Sequence, residues 1–207
     1  MSMGIESVES VTLEEPRARG RDGRERLLNG ARQLLAEKGY AGMELRDVAE
    51  RGEAPRGSIY HHFPGGKRQL AAEAAALEGT LIRESIERSL DERGVKGTLA
   101  LFGALFRRRV ADHPERIGCP VAAAALARPE DPALAAAATA AFTSWEAPIS
   151  AALEREGVDP PRAATFAGLV VSTIEGALVR ARAAGDQAPL DSAIDGLEQA
   201  LDALLTA

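Results

Sequence analysis

Two short helical faces separated by a brief break constrain this chain more than any other feature. Leu45, Val48 and Ala49 mark one apolar face, Gly52-Glu53-Ala54-Pro55 interrupts it, and Ile59, Tyr60 and Phe63 resume helical spacing. The run Arg56-Gly57-Ser58-Ile59-Tyr60-His61-His62-Phe63-Pro64-Gly65-Gly66-Lys67 then reads as a short helix, a tight turn and the start of a longer helix. Two short helices joined by about four residues form the geometry that sets the second helix in a DNA major groove. A catalytic fold has no use for this arrangement.

The overall charge of −6 argues against nucleic acid until the chain is divided. Residues 17–68 hold 12 Lys/Arg against 7 Asp/Glu, a net +5, whereas residues 69–207 carry a net −7. Screening confines each charge to about 8 Å at physiological salt, so the local sign governs. The single cysteine, Cys119, excludes an intramolecular disulfide and suits a reducing cytoplasm. No long apolar run is free of charge, so no membrane span is expected. Residues 1–20 read as a disordered leader, because Met1 to Pro16 carries four acids and no base, the opposite of a signal peptide.

Beyond Arg21 the chain reads as all-α. Leu27, Leu28, Ala31, Leu34 and Leu35 give a first amphipathic helix ended by Gly39. After the helix-turn-helix pair, a fourth helix runs from Lys67 toward Gly94, with Leu70, Leu77, Leu81, Ile86 and Leu90 as its core. Gly94 to Gly97 is a break, and a fifth helix stops before His113-Pro114. Pro120 opens a short alanine-rich helix. Asp131-Pro132 and Asp159-Pro160 each place a capping aspartate before a first-turn proline. The helix from Asp131 should kink at Pro148. Leu190, Ile194, Leu197, Leu201 and Leu204 give the last helix a narrow apolar seam. Nine helices follow: a three-helix helix-turn-helix domain over 21–66, and a larger all-helical domain over 67–207.

Leu45-Arg46-Asp47-Val48-Ala49 through Phe63-Pro64-Gly65-Gly66-Lys67 resembles the DNA-binding domain of the TetR/AcrR transcriptional regulators, a likeness specific over residues 24–70. Gly118-Cys119-Pro120-Val121-Ala122-Ala123 and Glu175-Gly176-Ala177-Leu178 are similar to the subgroup typified by the LmrA/YxaF repressors. The resemblance implies three DNA-binding helices, a linking fourth, and a remainder that forms a ligand pocket and dimer interface.

On the recognition helix, Arg56 can reach phosphate or a guanine edge, Gly57 permits close approach, and Ser58 can bond phosphate. Tyr60 and His61 project outward while Ile59 and Phe63 turn inward. Lys67 stands at a helix start, where dipole and charge both favour phosphate, and Arg46 is a further phosphate residue. Met43 departs from the family pattern, which places a capping Thr or Ser there; either Glu44 assists the helix start or a phosphate contact is lost. His61 and His62 point about 100° apart, so neither metal nor cofactor is expected.

Phe102, Phe106, Phe142, Trp145 and Phe166 are aromatics on apolar faces that suggest a cavity wall, with Thr173 or Glu175 as a polar anchor. Glu175, inside an apolar stretch, calls for a partner: a nearby hydroxyl, an arginine or a ligand. Cys119 reads as a packed, inert thiol, and Arg107-Arg108-Arg109 as a solvated face. Gly168, Ser172 and Gly176, with Ile194, Leu197 and Leu201, are expected to form a four-helix dimer interface. The reading is a cytoplasmic homodimeric repressor that binds a palindromic operator and is released by a small apolar or amphipathic molecule. A ligand-dependent activator of the same fold is the alternative. An enzyme is disfavoured, since His113, Cys119 and scattered serines form no recognised arrangement. Effector, operator and regulated genes stay open.

Overall fold

The structure, a computed structural model, describes residues 23–112, 118–127 and 131–206. The leader expected over residues 1–20 and His113 lie outside them, as do the side chains of Arg56 and Arg109. Among the described residues there is no strand, and eight helical runs follow one another. They are α1 (Gly23–Gly42), α2 (Leu45–Arg51), α3 (Arg56–His62), α4 (Gly66–Asp112), α5 (Pro120–Leu126), α6 (Pro132–Arg155), α7 (Pro160–Ala184) and α8 (Ala188–Leu205).

The first three helices form where apolar spacing and breakers agree. Leu27, Leu28, Ala31, Leu34 and Leu35 are all buried on α1, which loses helical geometry at Gly39, φ 71°. Val48 and Ala49 of α2, Ile59 of α3, and Phe63 just beyond it close over that face. Phe63 is fully buried beneath the Arg24 guanidinium, 5.1 Å from its ring centroid. Burial of such a ring contributes about 2–3 kcal/mol. Met43 is fully buried too, and Glu44 makes no side-chain cap to α2. The residue that departs from the family pattern is thus a core residue, and the helix start goes without a side-chain cap.

The expected fourth and fifth helices are one run, α4, broken at Gly94 alone, where φ is 66° and ψ −175°. The helix resumes at Val95 with no loop over residues 95–97. Thr98 Oγ1 bridges the break, lying 2.8 Å from Gly94 O and 3.0 Å from Ser89 Oγ. That pair of angles is essentially confined to glycine, and another residue there would be strained by about 1–3 kcal/mol.

Asp131 caps α6 as its sequence position predicts, Oδ1 accepting from Leu134 N at 3.2 Å. Its Oδ2 lies 2.5 Å from Arg68 Nε, an ion pair that ties the start of α4 to the start of α6. Asp159 makes no such cap on α7. The α6 run continues through Pro148. Helix α7 ends at Gly185 in the left-handed region, φ 65°. By length and mean hydropathy, 1.3, α7 could cross a membrane. Here it packs against α6 and α8 and buries Phe166, Val170 and Leu178.

The seam on α8 corrects an expectation. Ile194, Leu197 and Leu201 are 2 %, 2 % and 0 % exposed within a single chain. Leu197 and Leu201 join the chain's own core and Ile194 packs at Gly103 of α4, so these three side chains are already covered within one chain. One cluster of buried side chains runs from Leu27 to Leu201, so the first three helices share a core with the rest.

Candidate DNA interface and effector chamber

Helix α3 is anchored from one side and free on the other. Ile59 and Phe63 are buried, while Tyr60 is 62 % exposed and His61 is exposed beside it. A Cβ on Gly57 would meet nothing within 4 Å, so the outer face is open there. Ser58 Oγ donates to Pro55 O at 2.6 Å, which fixes the first turn of the short helix. His62 is half-buried, its Nε2 directed at the start of α1 near Gly23. Lys67 Nζ donates to Ala41 O at 3.1 Å and lies 4.8 Å from the Tyr40 ring centroid, which holds its charge close to the turn before α4. Arg46 is half-exposed and leans on Asp47 and Glu44, 3.3 and 3.8 Å away. Lys38, bonded to Asp47 at 2.7 Å, is the main cause that holds the Asp47 carboxyl below its usual range. Asp47 is therefore a paired anion, and less of its charge opposes a phosphate nearby.

Behind this surface lies a chamber of about 850 Å³, walled by α1, α4, α6, α7, α8 and the turn before α5. Phe102, Phe106, Trp145 and Glu175 line it. Phe142, Phe166 and Thr173 do not: Phe142 stacks edge-on behind Trp145 at 5.2 Å, and Phe166 is packed in the core. Trp145 Nε1 donates to Gly79 O at 2.8 Å, locking the indole between α6 and α4. Leu81, expected in the core, is 37 % exposed and belongs to the chamber wall.

The polar groups on that wall were the least legible. Glu78 is buried and held by Arg32, with Nε at 2.7 Å and Nη2 at 2.5 Å. Glu175 has neither an arginine nor a hydroxyl, and its Oε2 is buried without a hydrogen-bond partner. Burial pushes its carboxyl up to about 7; the Cys119 thiol pulls it down and Glu78 pushes it up. Cys119 caps α5, its Sγ 3.4 Å from Ala122 N. Burial first, then the charge of Glu175, pushes the thiol well above its ordinary range and disfavours the nucleophilic thiolate. Arg107 is not simply solvated: Nη1 reaches Asp191 Oδ1 at 3.2 Å, joining α4 to α8. Arg108 lines the chamber.

Helix α7 keeps one unburied stripe. Ser172 and Gly176 are exposed, Gly168 is half-buried, and Leu169 and Val179 are 47 % and 61 % exposed along the same side.

Comparison with known proteins agrees with this architecture. Residues 27–74 match the family model of bacterial regulatory proteins of the tetR family, and residues 97–195 that of the LmrA/YxaF-like transcriptional regulator C-terminal domain. The chain is 35 % identical to the uncharacterized HTH-type transcriptional regulator Rv0196 of Mycobacterium tuberculosis, over 81 % of this chain and 88 % of that one. It is 33 % identical to the uncharacterized HTH-type transcriptional regulator YxaF of Bacillus subtilis, over 82 % and 90 %. Among solved structures, a TetR transcriptional regulator from Legionella pneumophila superposes with a TM-score of 0.77 at 21 % identity, over 87 % of this chain and 97 % of that one. These relatives are transcriptional regulators rather than enzymes. With four-fifths of its length matched at this identity, the chain belongs to the TetR family of bacterial transcriptional regulators.

Proposed function

We propose that the protein is a cytoplasmic repressor that binds a palindromic operator as a homodimer and leaves it when a small apolar or amphipathic molecule enters the chamber. The observation that supports it most is the outer face of α3. Tyr60, His61 and Gly57 stand open on a helix whose opposite side is locked by Ile59 and Phe63, in the one segment with net positive charge. Arg46, Arg56, Ser58 and Lys67 flank that face and are assigned to phosphate or base edges.

The two-fold partner is assigned to the free stripe of α7, through Leu169, Ser172, Gly176 and Val179, with Gly168 allowing close approach. Two exposed apolar side chains beside two small residues suit helix packing across a symmetry axis. Two recognition helices would then enter successive major grooves about one turn apart. An effector must bind the DNA-incompetent state more tightly, and a coupling of about 1–3 kcal/mol is typical.

Duplex DNA from the region flanking the coding sequence tests this. Footprinting should give two symmetric half-sites, and the logarithm of the affinity should fall steeply with the logarithm of salt. A flat salt response, or an asymmetric single footprint, rejects the operator reading.

A further inference from the structure

Two of the carboxylates on the chamber wall, Glu78 and Glu175, meet opposite fates. Glu78 of α4 is neutralised by Arg32 of α1. Glu175 of α7 is half-buried, and its Oε2 is enclosed and orphaned. The groups that act on its carboxyl are the Cys119 thiol at the start of α5 and Glu78, which is already spent on Arg32. From α6 and α8 the wall receives Trp145 and Ile194, neither of them charged. The other arginines of the wall, Arg26, Arg51, Arg88 and Arg108, are not among the groups acting on Glu175.

A buried acceptor without a donor costs free energy that the fold leaves unrecovered. Water in an exposed site would solve this, but the Oε2 atom is buried, and Glu175 shares its wall with Phe102, Phe106 and Trp145. An anionic ligand would add like-charge repulsion. A neutral apolar ligand would seal the carboxyl off further. A protonated amine supplies both the missing donor and the missing charge, and charge-assisted hydrogen bonds are the strong ones.

We propose that the chamber binds an organic monocation, an apolar body of drug size whose ammonium group donates to Glu175. This assignment rests on the chamber being the effector site. A volume of about 850 Å³ lies within the usual range for small-molecule pockets. Near neutral pH Glu175 is balanced between its two forms, so a bound cation draws it to the carboxylate and expels a proton. Amine affinity therefore rises between about pH 6 and pH 8, where a primary amine itself stays protonated.

The test uses the full chain and matched probes: a biphenylbutyl amine, the corresponding alcohol and the corresponding carboxylic acid, repeated on a fused tricyclic body. Binding is read by calorimetry and by quenching of Trp145, the sole tryptophan. The amine should bind at least about tenfold more tightly than the alcohol, with the acid weakest. Glu175→Gln should bring the amine down to the alcohol's affinity and flatten its pH dependence, while the alcohol's affinity changes little. Equal binding of amine and alcohol, or an unchanged amine affinity in Glu175→Gln, overturns the cation assignment and leaves the chamber standing as a ligand site. If no probe on either body binds, the effector chamber itself is overturned, and the cation assignment with it.

Discussion

Arg182 of α7 grips the end of α1: its Nη1 donates to Ala36 O at 2.7 Å, and its Nη2 donates to Glu37 O. Those carbonyls close the regular part of the helix before Gly39, where a cation also meets the negative end of the helix dipole. Glu175 and Arg182 lie two turns apart on one side of α7, so the same helix touches the chamber and the DNA-binding helices. Gly118 seals the joint from below, where a Cβ would fall 2.3 Å from Ala36 O.

The first prediction follows from that joint. Arg182→Ala removes two charge-assisted hydrogen bonds at a partly exposed site and should cost about 1 kcal/mol, a fall of a few degrees in Tm. Amide exchange should accelerate at the end of α1 and not at Trp145. Gly118→Ala forces backbone apart and should cost more, about 1–3 kcal/mol. Unchanged exchange near Gly39 in both variants would show that the joint does not hold α1.

The second prediction concerns DNA. Tyr60→Ala and Lys67→Ala should weaken operator binding, because one side chain is exposed on α3 and the other is poised at the turn before α4. Lys67→Ala should also lower the salt slope by about 1, the mark of a lost phosphate contact. Tyr60→Ala should leave Tm nearly untouched, since the ring is mostly in solvent. Gel-shift titrations that place both variants at wild-type affinity would move the interface elsewhere.

How far the chain was legible depends on what periodicity can and cannot carry. Spacing places Ile59 and Phe63 inside and Tyr60 outside because the helix and its turn are local and the breakers are explicit. For Leu197 and Leu201 spacing reveals an apolar face and not which element covers it. Here α4 and α7 of the same chain do so. Phe142 and Phe166 fail for the same reason: an aromatic on an apolar face is known to be buried, but the void it borders is set by tertiary packing. The isolation of Glu175 was visible as one acid in an apolar stretch. That its Oε2 lacks a donor was not, since that depends on Arg32 being committed to Glu78 across 46 residues of sequence.

The third prediction separates core from interface. Leu169→Asp with Val179→Asp should give a folded monomer, because both side chains are exposed in the single chain. Leu197→Asp should instead unfold the protein, since it buries an unpaired charge at a position 2 % exposed. Sedimentation and circular dichroism together distinguish the two. A dimer that survives the α7 pair of substitutions would assign the two-fold contact to another face.

The fourth prediction is a pH dependence of stability. The carboxyl of Glu175 is raised from an ordinary 4.5 to about 7 by burial, so the native state binds its proton more tightly than the unfolded chain does. Protonation then favours folding. The ionised form destabilises the protein fully above about pH 7, and the penalty fades as pH falls toward 4.5. At one pH unit per 1.4 kcal/mol the penalty at alkaline pH is at most roughly 3.5 kcal/mol, and relaxation or water entry would reduce it. Glu175→Gln should therefore raise Tm at pH 8 and confer progressively less advantage as pH is lowered through about 6. Glu175→Leu, which also removes the orphaned polar atoms, should gain more than Gln at every pH. Other carboxylates titrate in both proteins and cancel in the difference between wild type and variant. A Tm difference that stays constant from about pH 5.5 to 8 would mean that Glu175 ionises as a solvated acid. The chamber would then be wetter around α7 than its apolar lining implies.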